Sequence, residues 1–220
     1  MAVGELVGAE KLRRSDVAET VRRERAVAIM RRLPPVAVDG PVEALLRGGF
    51  RVIEFTFDSE DAAGAIARWR ASGRALVGAG TIRHVDEVDP AVDAGAQFLV
   101  APTYQATVVE RALELGVPCI PGALTATEID TAWQQGATFV MLFPGAVVGP
   151  GYLRAVLAPL KDVEIVVTGG VDASSARAFL DAGAVGVGVS TAQLGQPAST
   201  EGDFAAVERG AAELLAAVAG

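Results

Sequence analysis

Eight short apolar runs recur along the 220 residues, each followed by a longer amphipathic stretch, and this alternation limits the fold more than any other feature. The runs read as strands cover 26–30, 51–56, 75–79, 97–101, 118–121, 138–143, 164–168 and 184–190. Between them lie helical patterns such as 59–71, 107–115, 125–135, 150–157 and 173–182, and the last unit ends with 204–218. Strands with apolar residues on both faces belong in a parallel sheet covered by helices. Eight strand–helix units predict an α/β fold of the closed (β/α)8 TIM-barrel type, for which roughly 200 residues is the lower limit. A doubly wound open sheet is the alternative. Aromatic residues are only 5%, so the core must be built from Ala, Val, Leu and Ile.

Glycines at 48–49, 73, 95, 116, 136 and 183 follow helical stretches and precede strands, where a helix C-terminus favours a left-handed residue. Ser15 and Asp16 can cap a helix over 17–25 that closes the N-terminal face of the barrel. Residues 1–24 thus form a helical extension ahead of a barrel spanning 25–220. After the first strand, Asp39-Gly40-Pro41 predicts a helix starting at Pro41, which leaves a long loop over 32–40 on the C-terminal face.

The net charge is -8, and such a surface repels nucleic acid and anionic lipid. No apolar run approaches the ~20 residues of a membrane span. Glu5 and Glu10 interrupt the N-terminus, so no signal peptide is read there. One cysteine, Cys119, permits no internal disulfide and fits the cytoplasm. One histidine, His84, rules out a histidine-rich metal centre; neither a metal nor a cofactor is implied. The expected partner is a small molecule.

Barrels of this type build their sites at the C-terminal strand ends. Those ends deliver Arg31, then Glu54 with Thr56 and Asp58, then Gly80-Thr81, Pro102, Pro121-Gly122, Met141 with Phe143 and Pro144, Thr168-Gly169-Gly170, and Gly188-Val189-Ser190. Glycine-rich ends on strands seven and eight expose backbone N–H groups to an anion, so Gly169, Gly170, Gly188 and Ser190 form a candidate phosphate cradle. Tight turns alone are the alternative. Glu54 lies in an apolar strand, where a charged carboxylate is costly; a raised pKa would make it a proton-transfer group. A structural ion pair with Arg31 is the plainer explanation. His84 reads as a surface residue, Trp69 and Trp133 as packing, and Asp16, Asp39, Glu110, Glu114 and the acids at 86–89 as caps and solvated faces.

Seven blocks in order resemble the 2-keto-3-deoxy-6-phosphogluconate (KDPG) and 4-hydroxy-2-oxoglutarate (KHG) aldolases. They are Gly48-Gly49 with the stretch 52–57, Val77-Gly78-Ala79-Gly80-Thr81, Phe98-Leu99-Val100-Ala101-Pro102, Ile120-Pro121-Gly122 with Thr125-Ala126-Thr127-Glu128, Leu142-Phe143-Pro144-Gly145, Thr168-Gly169-Gly170-Val171, and Gly188-Val189-Ser190. The resemblance implies a lyase that cleaves a 2-keto-4-hydroxy acid, or its 6-phosphate, to pyruvate and an aldehyde. A strand-six lysine would form a Schiff base with pyruvate, and a homotrimer would be the working unit. It makes Glu54 the proton-transfer residue, and Arg31, Thr81, Pro102, Phe143 and Thr168 substrate ligands. Gly169, Gly170, Gly188 and Ser190 would hold phosphate.

Two positions depart from that pattern. Met141 occupies the place of the lysine, and the two lysines of the chain, Lys11 and Lys161, lie before the barrel and on its opposite face. Asp58 stands where some members place a phosphate-facing arginine. The expectation is a family member with lost or impaired Schiff-base cleavage. The alternatives are an isomerase or decarboxylase that uses Glu54 without an iminium, and a non-catalytic sugar-phosphate binder or scaffold trimer.

Overall fold

A computed structural model describes residues 14–195 and 204–219. Eight parallel strands close into a barrel in sequence order: β1 (Ala26–Met30), β2 (Val52–Thr56), β3 (Leu76–Gly80), β4 (Leu99–Ala101), β5 (Cys119–Ala123), β6 (Val140–Leu142), β7 (Ile165–Thr168) and β8 (Gly186–Ser190), which pairs back with β1. The open sheet is thereby excluded. The helices are α1 (Arg14–Glu24), α2 (Asp39–Arg47), α3 (Ala62–Ser72), α4 (Val88–Asp93), α5 (Ala106–Glu114), α6 (Ala126–Gln134), α7 (Gly145–Leu157), α8 (Ala173–Asp181) and α9 (Ala205–Ala219).

Alternate residues of each strand face opposite ways. Ile53, Phe55, Val77, Ala79, Leu99, Cys119, Val140, Leu142, Ile165, Val167, Val187 and Val189 join the helices in an outer core. Val27, Val52, Leu76, Phe98, Val100, Ile120, Phe139, Met141 and Val166 fill the barrel interior. Large interior side chains sit where a neighbouring strand carries glycine. A Cβ on Gly78 would lie 2.4 Å from the Phe98 ring, and one on Gly188 would lie 2.2 Å from Thr168 Oγ1.

Helix α1 seals the floor. Val17, Ala18 and Val21 join the interior cluster, while Arg14 reaches across to donate from Nε to Thr138 Oγ1 at 2.8 Å and from its Nη2 to the Gly136 carbonyl. Helix boundaries shift from expectation. The described part of α1 already runs at Arg14, so Ser15 and Asp16 lie in its first turn. Helix α2 starts at Asp39 instead of Pro41, and a 3-10 turn at Pro35–Ala37 fills part of the long loop. Helix α7 begins at Gly145, with a break at Gly149, where φ is 76° and ψ is 172°. Helix α4 follows its own 3-10 turn, Val85–Glu87, with His84 exposed ahead of it. Trp69 is buried, with its indole N–H on Asp39 at 3.0 Å. Lys11 lies outside the described residues.

Candidate functional site

Strand β2 carries Val52, Glu54 and Thr56 on one face, and this phase puts Glu54 inside the barrel. The residue is 5% exposed, and its carboxyl settles over Gly80, where a Cβ would stand 2.5 Å from Oε1. Glycine on β3 is therefore what makes room for an acid. Burial pushes the carboxyl up to about 8, and the charge of Arg31 opposes that shift without cancelling it. The two form no ion pair, so the plain structural explanation for Glu54 does not hold. Arg31 itself is exposed at the end of β1 and acts on Glu54 and Asp58 through its charge.

Thr168 ends β7, 7% exposed, and leans over Gly188 of β8. Thr81, just past β3, holds φ at 59°. A β-branched residue in the left-handed region is strained by about 1–3 kcal/mol, a departure that clusters at ligand sites. Met141 projects inward from β6, 5% exposed, packed in the interior cluster with Val100, Ile120, Val166 and the half-buried Phe143. Pro102 presents its carbonyl toward Gly122, where a Cβ would come within 2.2 Å of it. Lys161 is exposed in the turn before β7, at the opposite end of the barrel from this mouth.

The β7 end turns through Gly169 and Gly170, at φ 92° and 80°. A side chain on Gly169 would meet the Phe143 ring at 2.9 Å, and one on Gly170 would meet Ala146 Cβ at 2.6 Å, so the turn is seated against the β6–α7 loop. Thr168 pairs with Gly188, so the Gly169–Gly170 turn and Ser190 leave adjacent strands at one height. Ser190 pairs with Ile29 and Ile29 with Glu54, which places Ser190 and Glu54 on one row two strands apart.

Two participants were not picked out in the sequence. Arg32, at φ 49°, donates from Nε to Asp58 Oδ2 at 2.7 Å, and its backbone N–H reaches Ser59 Oγ at 3.1 Å and Thr56 Oγ1 at 3.3 Å. Partial burial raises the Asp58 carboxyl, but bonds from Arg32 and Thr56 and the charges of Arg32 and Arg31 outweigh it and hold the group below its usual range. Asp58 is thus half of an ion pair instead of a free carboxylate at the mouth. Nothing in an Arg-Arg doublet tells which arginine takes the left-handed conformation. The second participant is Gln193, in the 3-10 turn Thr191–Leu194 after β8. Its Oε1 accepts from Ser190 Oγ at 2.9 Å and from Ser190 N at 3.3 Å. Here a signal exists: Ser-x-x-Gln is the spacing of a capping box.

The family model of KDPG and KHG aldolase matches residues 17–210. The 2-dehydro-3-deoxy-6-phosphogalactonate aldolase of Escherichia coli is 33% identical over 169 residues, covering 75% of this chain and 82% of that one. The 2-dehydro-3-deoxy-phosphogluconate aldolase of Pseudomonas aeruginosa is 31% identical over 205 residues, 90% of this chain and 93% of that one. Among solved structures, native KDPGal superposes with a TM-score of 0.81 at 30% identity, covering 88% of this chain and 94% of that chain. The 2-keto-3-deoxy-6-phosphogluconate aldolase of Zymomonas mobilis, solved with 3-phosphoglycerate, also gives 0.81, at 26% identity and coverage of 90% and 95%.

Proposed function

The chain belongs to the KDPG and KHG aldolase family, and from that membership we propose that its mouth binds a 2-keto acid but lacks the amine needed to cleave one through a Schiff base. The observation that carries this reading is Met141, buried and facing inward on β6. A thioether has no N–H and cannot condense with a carbonyl, whereas an iminium is what draws electrons from the adjacent C–C bond. Met is unbranched and close to lysine in shape, so the pocket keeps its form.

The surrounding groups retain the means to hold a 2-keto acid. Arg31 supplies positive charge for the carboxylate, with the hydroxyls of Thr81 and Thr168 as further ligands. Pro102 and Phe143 wall the chamber. Glu54, protonated up to about 8, is suited to deliver or remove a proton at the carbon beside the keto group. Gly169, Gly170, Gly188 and Ser190 bound the end of the mouth that takes the distal part of the substrate. The working unit is a homotrimer in the cytoplasm.

The test is intact mass after borohydride reduction in the presence of pyruvate. The chain as it stands remains unmodified. Met141→Lys places an amine in a desolvated chamber that lowers its pKa, condenses with the keto carbon with loss of water, and gains one reduced pyruvate. A stoichiometric adduct on Lys161 or Lys11 of the unaltered chain would overturn the assignment of the site. Glu54 favours a second reading, proton transfer beside a carbonyl without an iminium. Loss of deuterium from the methyl group of labelled pyruvate with the unaltered chain, abolished in Glu54→Gln, selects it.

A further inference from the structure

The anion-binding end of the mouth is partly occupied by the protein itself. Barrels of this architecture commonly seat a phosphate on the loops after strands seven and eight, using backbone N–H groups free of intramolecular acceptors. On β7 that condition is met: among the described residues, nothing accepts from the N–H groups of Gly169 or Gly170. On β8 it is not. The Ser190 hydroxyl and N–H both point at Gln193 Oε1, at 2.9 and 3.3 Å. An amide oxygen sits where an anion's oxygen would take the same two donors.

This arrangement is held by buried anchors. Thr191 and Leu194, on either side of Gln193, are each 3% exposed. The turn closes through Gly195 N–H on the Thr191 carbonyl. Helix α9 packs on it so closely that a Cβ at Gly210 would lie 2.4 Å from the Leu194 carbonyl. Gln193 itself is exposed between them. On the adjoining rim, Asp58 takes up the Arg32 guanidinium at 2.7 Å, so that cation too is already engaged.

We propose that Gln193 is a specificity-determining residue that blocks the β8 half of the anion cradle, so that the 2-keto acid of this chain ends in hydroxyl groups instead of a phosphate. The inference rests on the 2-keto-acid reading of the mouth. Ser190 lies two strands from Glu54, about 10 Å at ordinary strand spacing, which is the reach of a six-carbon acid and beyond that of pyruvate. A hydroxyl can leave this pair intact by donating to the Ser190 hydroxyl oxygen, which keeps acceptor capacity while its own O–H is given to Gln193. A phosphate monoester has no donor to spare when fully ionised and must expel the glutamine.

Calorimetric titration with inorganic phosphate tests this on the full-length protein and on two variants. Two hydrogen bonds that no longer have to be broken correspond to about a tenfold gain. Gln193→Ala is expected to bind phosphate about that much more tightly than the unaltered chain. Gln193→Glu keeps the acceptor but adds negative charge, and is expected to weaken binding below the unaltered chain. Equal phosphate affinity in all three, or no binding by Gln193→Ala, overturns the proposal. Pyruvate binding by the unaltered chain, measured alongside, tests the parent reading separately. If pyruvate fails to bind while Gln193→Ala gains phosphate, the keto-acid assignment falls and the blocking role of Gln193 stands.

Discussion

Burial of Glu54 on β2 ties its proton to the folded state. In the unfolded chain the carboxyl titrates near 4.5, and in the barrel near 8. Between those values the folded protein holds a proton that the unfolded chain has lost, so stability is greatest below the lower value and falls as pH rises toward the upper one. One such group contributes a slope of up to about 1.4 kcal/mol per pH unit. Urea midpoints measured across that window should decline with pH in the unaltered chain and decline less in Glu54→Gln, whose amide does not titrate. Parallel declines would show that other groups set the pH dependence and that Glu54 is not held protonated. The same side chain shows what residue-level reading can recover. An acid in an apolar strand signals a perturbed group from sequence alone. That it rests over Gly80, with Arg31 near but unpaired, depends on the β2–β3 register and is visible only in three dimensions.

At the level of strands, interior volume is shared between neighbours. Phe98, just ahead of β4, fills the space left by Gly78 of β3, where a Cβ would lie 2.4 to 2.6 Å from three ring atoms. Gly78→Ala should therefore cost about 1–3 kcal/mol through overpacking. Phe98→Leu should cost about as much through lost volume. Combined, the smaller side chain accommodates the added methyl, and the double variant should be less destabilised than the sum of the two. Denaturant midpoints for all four proteins check this, and strict additivity would contradict the shared-space account. Strands were the most legible elements, because runs such as 164–168 are apolar on both faces and bounded by turn residues. Helix starts were less so. Asp39 begins α2 two residues before the expected Pro41, since the 3-10 turn ahead of it already holds helical backbone. Helix α4 spans only Val88–Asp93, contains Pro90, and carries too few turns to display an apolar stripe.

At the level of the whole molecule, the barrel closes on itself and leaves no sheet edge for association. Any assembly must therefore use loops and helices. The most exposed large apolar residues among those described are Val36, at 90%, and Val147, at 79%. Val36 lies in the loop after β1, and Val147 at the start of α7 after β6. On the closed ring β6 and β1 are separated by β7 and β8, so the two valines mark different sides of the same rim. A threefold ring is heterologous: each subunit offers two different patches, and one side of a subunit meets the other side of the next. Two patches on different sides are what such a ring requires, whereas a twofold dimer would need only one self-complementary surface. Light scattering should give about three times the 22.6 kDa chain mass at micromolar concentration. Val147→Glu and Val36→Glu, each placing a charge at one end of the repeating contact, should both reduce the mass to that of one chain while leaving the circular dichroism of the barrel unchanged. A monomer for the unaltered chain would exclude the trimer. A trimer that survives both substitutions would place its interface away from this rim.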